Sequence, residues 1–180
     1  MIKCSKLKLD GVLIFSAPNF EDSRGSFSEV FKLSDYRKHL PSETNFIQDN
    51  ESVSKYGVIR GLHFQKSNFE QAKLVRVSYG EIQDIAVDIR KDSSTFGQYV
   101  SVVLSKENRK QLFIPRGFAH GFLVLSDLAI VNYKVDNMYS PEHELGILYS
   151  DKEININWDI NPKNIIVSKK DLMLPNLSEI

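Results

Sequence analysis

The chain has 180 residues, enough for one domain (1–180) with a substantial core and too few to expect two. Lys+Arg 23 against Asp+Glu 23 leaves no net charge, which weighs against a nucleic-acid binder relying on phosphate neutralisation but still permits a local anion site. The single cysteine, Cys4, rules out an intramolecular disulfide and stands beside no base that would make it a catalytic thiol.

In chain order, the first 50 residues are polar. Within them Asp22-Ser-Arg24-Gly-Ser-Phe-Ser-Glu29 reads as an alternating edge strand, available to a partner subunit. Leu33-Ser-Asp-Tyr-Arg-Lys-His-Leu-Pro predicts a helix with Ser34 as N-cap and Pro41 beyond its end. Strand-like sequence surrounds Arg60-Gly-Leu-His63. From Lys73 the alternation is sustained: Lys73, Val75 and Val77 share one face, and Leu74, Arg76 and Ser78 the other. Gly80-Glu81 forms a turn into residues 82–89, where Gln83, Ile85, Val87 and Ile89 make a nearly apolar face. Residues 98–105 and 129–135 continue the period of two, with a short turn capped by Ser105 and another after Ser168. These β-branched, turn-bounded segments predict a mainly β protein, an antiparallel double sheet or closed barrel with few helices.

Several polar residues interrupt this pattern. Arg60 and His63 would face opposite ways on an extended strand, so a bend at Gly61 must intervene if both reach one pocket. A neutral imidazole is a suitable base near neutral pH once a partner fixes its tautomer, and Asp171 is the candidate for that task. Taken alone, His63 reads first as a structural histidine; Arg60 three positions earlier raises the catalytic reading. Lys73 lies on an apolar face, which is costly unless it meets an anion. Tyr133 shares its face with Val131 and Val135, and is either a core tyrosine or a general acid. The four histidines include no His-x-His pair and no acidic residue at a matching spacing, so no bound metal is expected. Neither Gly-x-Gly-x-x-Gly nor Gly-x-x-x-x-Gly-Lys occurs. No apolar run reaches the roughly 18 residues of a membrane span, and the N-terminus lacks the apolar stretch of a signal peptide; the expectation is a cytoplasmic protein with no membrane attachment.

Together, the ordered motifs Asp22-Ser-Arg-Gly-Ser-Phe, Phe46-Ile-Gln-Asp-Asn, Gly57-Val-Ile-Arg-Gly-Leu-His-Phe-Gln and Lys73-Leu-Val-Arg-Val resemble the dTDP-4-dehydrorhamnose 3,5-epimerase family. Phe113-Ile-Pro-Arg-Gly-Phe-Ala-His-Gly-Phe, Tyr139-Ser-Pro-Glu-His-Glu and Ser168-Lys-Lys-Asp extend the likeness from about Phe15 to Pro175. The resemblance implies a cupin-type jelly roll. It also implies inversion at C3 and C5 of a dTDP-linked 4-keto-6-deoxy sugar through an enolate, without metal or redox cofactor. By that likeness His63 is the base, Asp171 its orienter, Tyr133 the acid, and Lys73 with His120 the stabilisers of the oxyanion. Arg60 and Lys170 match diphosphate contacts. Arg24, Glu29, Gln48, Asp49, Asn50 and Glu144 match other substrate contacts in a site completed by a second copy of a homodimer. Met138 stands where the family commonly has an aromatic, which leaves open inversion at C3 alone. A non-catalytic jelly-roll sugar binder is the reading from a different class.

Overall fold

A computed structural model describes residues 2–180. Fourteen strands account for most of its regular structure. The first sheet contains β1 (Lys3–Lys6), β2 (Leu13–Ser16), β5 (Gln48–Lys55), β7 (Lys73–Tyr79), β10 (Lys110–Ile114) and β12 (Leu128–Val135). Their order is β1-β2-β10-β7-β12-β5. The second sheet contains β6 (Val58–Gln65), β8 (Glu81–Asp88), β9 (Tyr99–Ser105), β11 (Phe118–Val124) and β13 (Glu144–Gly146), ordered β13-β6-β11-β8-β9. β14 (Ile166–Val167) pairs with β6 in parallel, and β3 (Asn19–Asp22) with β4 (Gly25–Ser28) forms a separate hairpin. The architecture is mainly β, as the alternation predicts. The two sheets are not joined into a closed hydrogen-bonded barrel, so the double-sheet alternative describes them.

Apolar side chains from both sheets meet between them. Val75 and Val77 of β7, Leu112 and Ile114 of β10 and Val131 of β12 pack with Ile82 and Ala86 of β8 and Phe118 and Phe122 of β11. The Gln83–Ile85–Val87 face of β8 is also covered: Ile85 and Val87 pack with Ile147, Ile154 and Leu177 of the C-terminal segment. β8 is therefore buried on both faces, so its polar residues Gln83, Asp84 and Asp88 are buried along with its apolar ones.

The helix differs from expectation. α1 spans only Leu33–Tyr36, and its N-cap is Lys32, with no side-chain cap. Ser34 lies inside it. What fixes this turn is Tyr36, 1% exposed, packed at 4.7 Å between ring centroids on Phe15 of the outer cluster. Tertiary burial, rather than capping, decides where the helix begins. The turns predicted at Ser105 and Ser168 form: Ser105 Oγ accepts from Asn108 N at 3.0 Å, and Ser168 Oγ accepts from Asp171 N at 3.0 Å.

Candidate active site

One end of the space between the sheets is not filled by core residues. There a cleft of about 520 Å³ opens, with Arg60, His63, Lys73, His120, Tyr133 and Asp171 among its walls. A second lobe of about 290 Å³ shares His63, Lys73 and Tyr133 and adds Gln48, Asn50, Tyr139 and Glu144.

Arg60 and His63 reach the same cleft because the pairing of β6 with β11 slips. His63 is opposite His120 and Arg60 is opposite Phe122, so three steps along β6 match two along β11. This bulge of one extra residue turns two side chains of opposite parity onto one face. The slip occurs beside Gly61, whose φ is +114°. A Cβ on Gly61 would stand 2.6 Å from the His120 carbonyl oxygen and 2.7 Å from Gly121 Cα, so only glycine allows this approach.

His63 Nε2 lies 2.8 Å from Asp171 Oδ1, and Gly61 N donates to Asp171 Oδ2 at 3.3 Å. Asp171 is 5% exposed. An ionised carboxylate only accepts, so Nε2 carries the imidazole proton and Nδ1 is left as the basic nitrogen. The orienter is brought to its base across 108 residues by the turn that Ser168 caps.

Lys73 begins β7 and continues the inward face of Val75 and Val77. Its ammonium is 3.5 Å from the His63 carbonyl oxygen. Burial lowers its pKa to about 8, against the opposing pull of the carboxylates of Asp84 and Glu144. Near neutral pH it stays mostly charged, yet it is a stronger acid than a surface lysine. Tyr133, inward on β12 beside Val131, has its hydroxyl pKa raised by burial and so holds its proton through the neutral range. His120 Nε2 lies 2.7 Å from Asp84 Oδ1, and burial lowers its pKa despite that carboxylate.

Asp84 is the residue that sequence reading passed over. Sequence spacing to the histidines gave no sign of it, because Asp84 and His120 meet across the sheet: β8 and β11 pair with Asp84 opposite Phe122, next to His120 on the same face. Another signal was present: an acid between Ile82 and Ala86 on one strand face is as anomalous as Lys73. Among the described residues no group of three metal-ligating side chains forms.

The other expected contacts separate into two groups. Gln48, Asn50 and Glu144 line the second lobe, and Arg60 lines the first, held by Ser54 Oγ at 2.9 Å from its Nε. Asp49 points to the opposite face of β5 and pairs with Lys134 at 2.7 Å, because adjacent strand residues alternate. Lys170 pairs with Glu144, which also accepts from Tyr139 Oη at 2.9 Å. Burial would raise the Glu144 pKa, but these two hydrogen bonds outweigh it and hold the carboxyl low. Arg24 is in the turn of the β3–β4 hairpin, paired to Asp22, and Glu29 follows that hairpin; within one chain neither lines the cleft. Met138 is 62% exposed and lines neither lobe, so the substitution of an aromatic there removes nothing from the cleft wall.

Comparison with known proteins gives a consistent picture. The profile of a family described as dTDP-4-dehydrorhamnose 3,5-epimerase matches residues 6–179. A dTDP-4-dehydrorhamnose 3,5-epimerase of Shigella flexneri is 50% identical over 167 residues, 93% of this chain and 91% of its own. A dTDP-6-deoxy-D-glucose-3,5-epimerase of Legionella pneumophila, solved with dTDP-4-keto-L-rhamnose, superposes with TM-score 0.96 at 43% identity, covering 100% of this chain and 95% of the other. A 3′-monoepimerase of Streptomyces bikiniensis in complex with dTDP is similar at TM-score 0.88 and 27% identity, covering 97% and 87%.

Proposed function

Because the chain belongs to the dTDP-4-dehydrorhamnose 3,5-epimerase family, we propose that His63 and Tyr133 exchange protons on opposite faces of its sugar substrate. The enzyme is an isomerase acting on carbohydrate. It inverts C3 and C5 of dTDP-4-dehydro-6-deoxy-D-glucose to give dTDP-4-dehydro-L-rhamnose.

The hydrogens on C3 and C5 flank the C4 ketone, so removing either leaves an enolate. Nδ1 of His63 takes the proton, and Asp171 balances the imidazolium that forms. Charge then builds on the C4 oxygen, where the Lys73 ammonium meets it, a preorganised donor of a kind that lowers a barrier by about 3–4 kcal/mol. His120 lines the same wall with its N–H committed to Asp84. Tyr133 protonates the carbon from the other face. Proton exchange with solvent returns His63 to its neutral form and Tyr133 to its phenol, and a second cycle at the other carbon completes the conversion. No electron is transferred and no redox cofactor is needed.

The single observation carrying this reading is that His63, Lys73 and Tyr133 form the shared wall of both lobes, so base, oxyanion donor and acid border one volume. Arg60 supports the diphosphate: among the described residues its guanidinium has no carboxylate partner, and it borders the cleft. Lys170 joins it there by releasing Glu144. A homodimer completes the site. The β3–β4 hairpin belongs to neither sheet, carries Phe20 and Phe27 at 56% and 66% exposure, and holds Arg24 outward, as an arm reaching a second copy would. Asp49 and Glu29 serve that shared region. The whole chain acts as one domain in the cytoplasm; among the described residues no helix is long and apolar enough to cross a membrane.

The test is NMR of the sugar ring after incubation in heavy water. Deuterium enters both C3 and C5 with the intact enzyme, and neither position with a folded His63→Ala variant. Substantial turnover by His63→Ala would remove the base assignment, and label confined to C3 would reduce the reaction to one inversion.

A further inference from the structure

We propose that Asp84 is a positioning residue of this reaction, the fixed counter-charge that keeps Lys73 a cation and His120 in one tautomer over the reacting ketone. The proposal deepens the reading of Lys73 as the enolate clamp and rests on it.

Asp84 sits on β8 between Ile82 and Ala86, and all three are 0% exposed. A carboxylate in such a place is costly unless something offsets its desolvation. One oxygen is met by His120 Nε2 at 2.7 Å. The other, Oδ2, is buried without a hydrogen-bond partner. Lys73 shows the converse deficit: its ammonium carries three donors, and its one acceptor among the described residues is the His63 carbonyl at 3.5 Å. A buried cation short of acceptors thus lies within electrostatic reach of a buried anion short of a donor, which stands behind His120 of the cleft wall.

Two carboxylates, Asp84 on β8 and Glu144 on β13, act on the charge of Lys73, which shares its cleft with His63 on β6, His120 on β11 and Tyr133 on β12. Glu144 already serves Lys170 and Tyr139. His120 is driven towards its neutral form by burial, so it gives Asp84 a hydrogen bond and no positive charge. The charge of Asp84 is therefore left to act on Lys73. Burial lowers the Lys73 pKa to about 8, and Asp84 is the first of the two carboxylates opposing that fall. A neutral Lys73 would offer the enolate a hydrogen bond without the full charge.

The alkaline limb of kcat/KM reads this directly in the free enzyme. With wild type the limb should fall near pH 8, where Lys73 would lose its proton. Asp84→Asn removes an adjacent opposite charge and should move that limb down by about one pH unit, a roughly tenfold loss of kcat/KM at its original midpoint. Asp84→Ser, which admits water in place of an amide, should move it the same way, so the outcome does not depend on one variant folding. Asp84→Glu should return the limb towards wild type. Lys73→Gln, assayed alongside, should lose at least about a hundredfold at every pH.

A limb unmoved in both neutral variants, with Lys73→Gln inactive, overturns the counter-charge role while leaving the enolate clamp intact. Near wild-type rates in Lys73→Gln would remove the clamp and this proposal together.

Discussion

Asp171→Asn probes the base without touching it. Asp171 accepts from His63 Nε2 at 2.8 Å and from Gly61 N at 3.3 Å, so an isosteric amide has one oxygen for two donors. With the oxygen on His63, its NH₂ confronts Gly61 N–H. With the NH₂ on His63, Nε2 must accept and the imidazole proton moves to Nδ1, which abolishes the basic nitrogen. Either way the imidazolium loses its counter-ion. Opposite charges about 4 Å apart at an effective dielectric of about 20 attract by roughly 4 kcal/mol. A neutral amide that keeps one hydrogen bond forfeits most of this, so the barrier rises by about 3–4 kcal/mol. At 1.36 kcal/mol per decade that is about a 10²–10³-fold loss. The assay is the rate of deuterium entry at C3, with thermal unfolding run in parallel to establish that the fold survives. A folded Asp171→Asn enzyme within tenfold of wild type would refute the idea that this carboxylate makes His63 a base.

Two other substitutions separate chemistry from scaffold. Tyr133→Phe deletes a hydroxyl that burial keeps protonated, so C3 should still wash out its hydrogen while inverted product falls by about 10²–10⁴-fold; inversion at the wild-type rate would dismiss Tyr133 as the acid. Asp88→Asn concerns stability alone: burial would raise the Asp88 pKa, but hydrogen bonds from Arg90, Thr95 and Ser93 outweigh it and hold the carboxyl well below the usual range. The depressed folded-state pKa means that this stabilisation is fully present above the unfolded value of about 4 and is lost as pH falls towards the folded one. Asp88→Asn should therefore cost about 2–3 kcal/mol at neutral pH in urea unfolding, with the gap to wild type narrowing under strong acid; an equal gap at both extremes would contradict the assignment.

Period-two alternation made most of the sheet legible. The faces expected for residues 73–78 and 129–135 are those observed, with Val75, Val77 and Val131 inward and Asn132 and Lys134 directed towards Glu51 and Asp49. What alternation could not supply was the pairing of one strand with another. Whether the sheets close, that Tyr36 anchors the helix, and that Met138 faces solvent all depend on neighbours remote in sequence. The bend required at Gly61 was legible as a need, since parity alone separates Arg60 from His63. Its form, one extra residue opposite β11, was not.

The site itself was legible as a set of exceptions to that alternation. Lys73, Tyr133, Asp84 and His120 each occupy an inward strand position that an apolar residue would fill more cheaply. The chain compensates by pairing: His63 with Asp171 and His120 with Asp84, each acid almost wholly buried. Lys73 has no such dedicated bond, and its cost appears instead as a lowered pKa. An acid so placed is ready to stabilise a transient oxyanion without giving up its proton at neutral pH. Of these four, Asp84 was the exception passed over, although its position between Ile82 and Ala86 broke the pattern as plainly as Lys73 beside Val75. An inward charge on an apolar strand therefore calls for a partner on a neighbouring strand, and here the search for that partner leads from His120 to Asp84 and from Asp84 to Lys73.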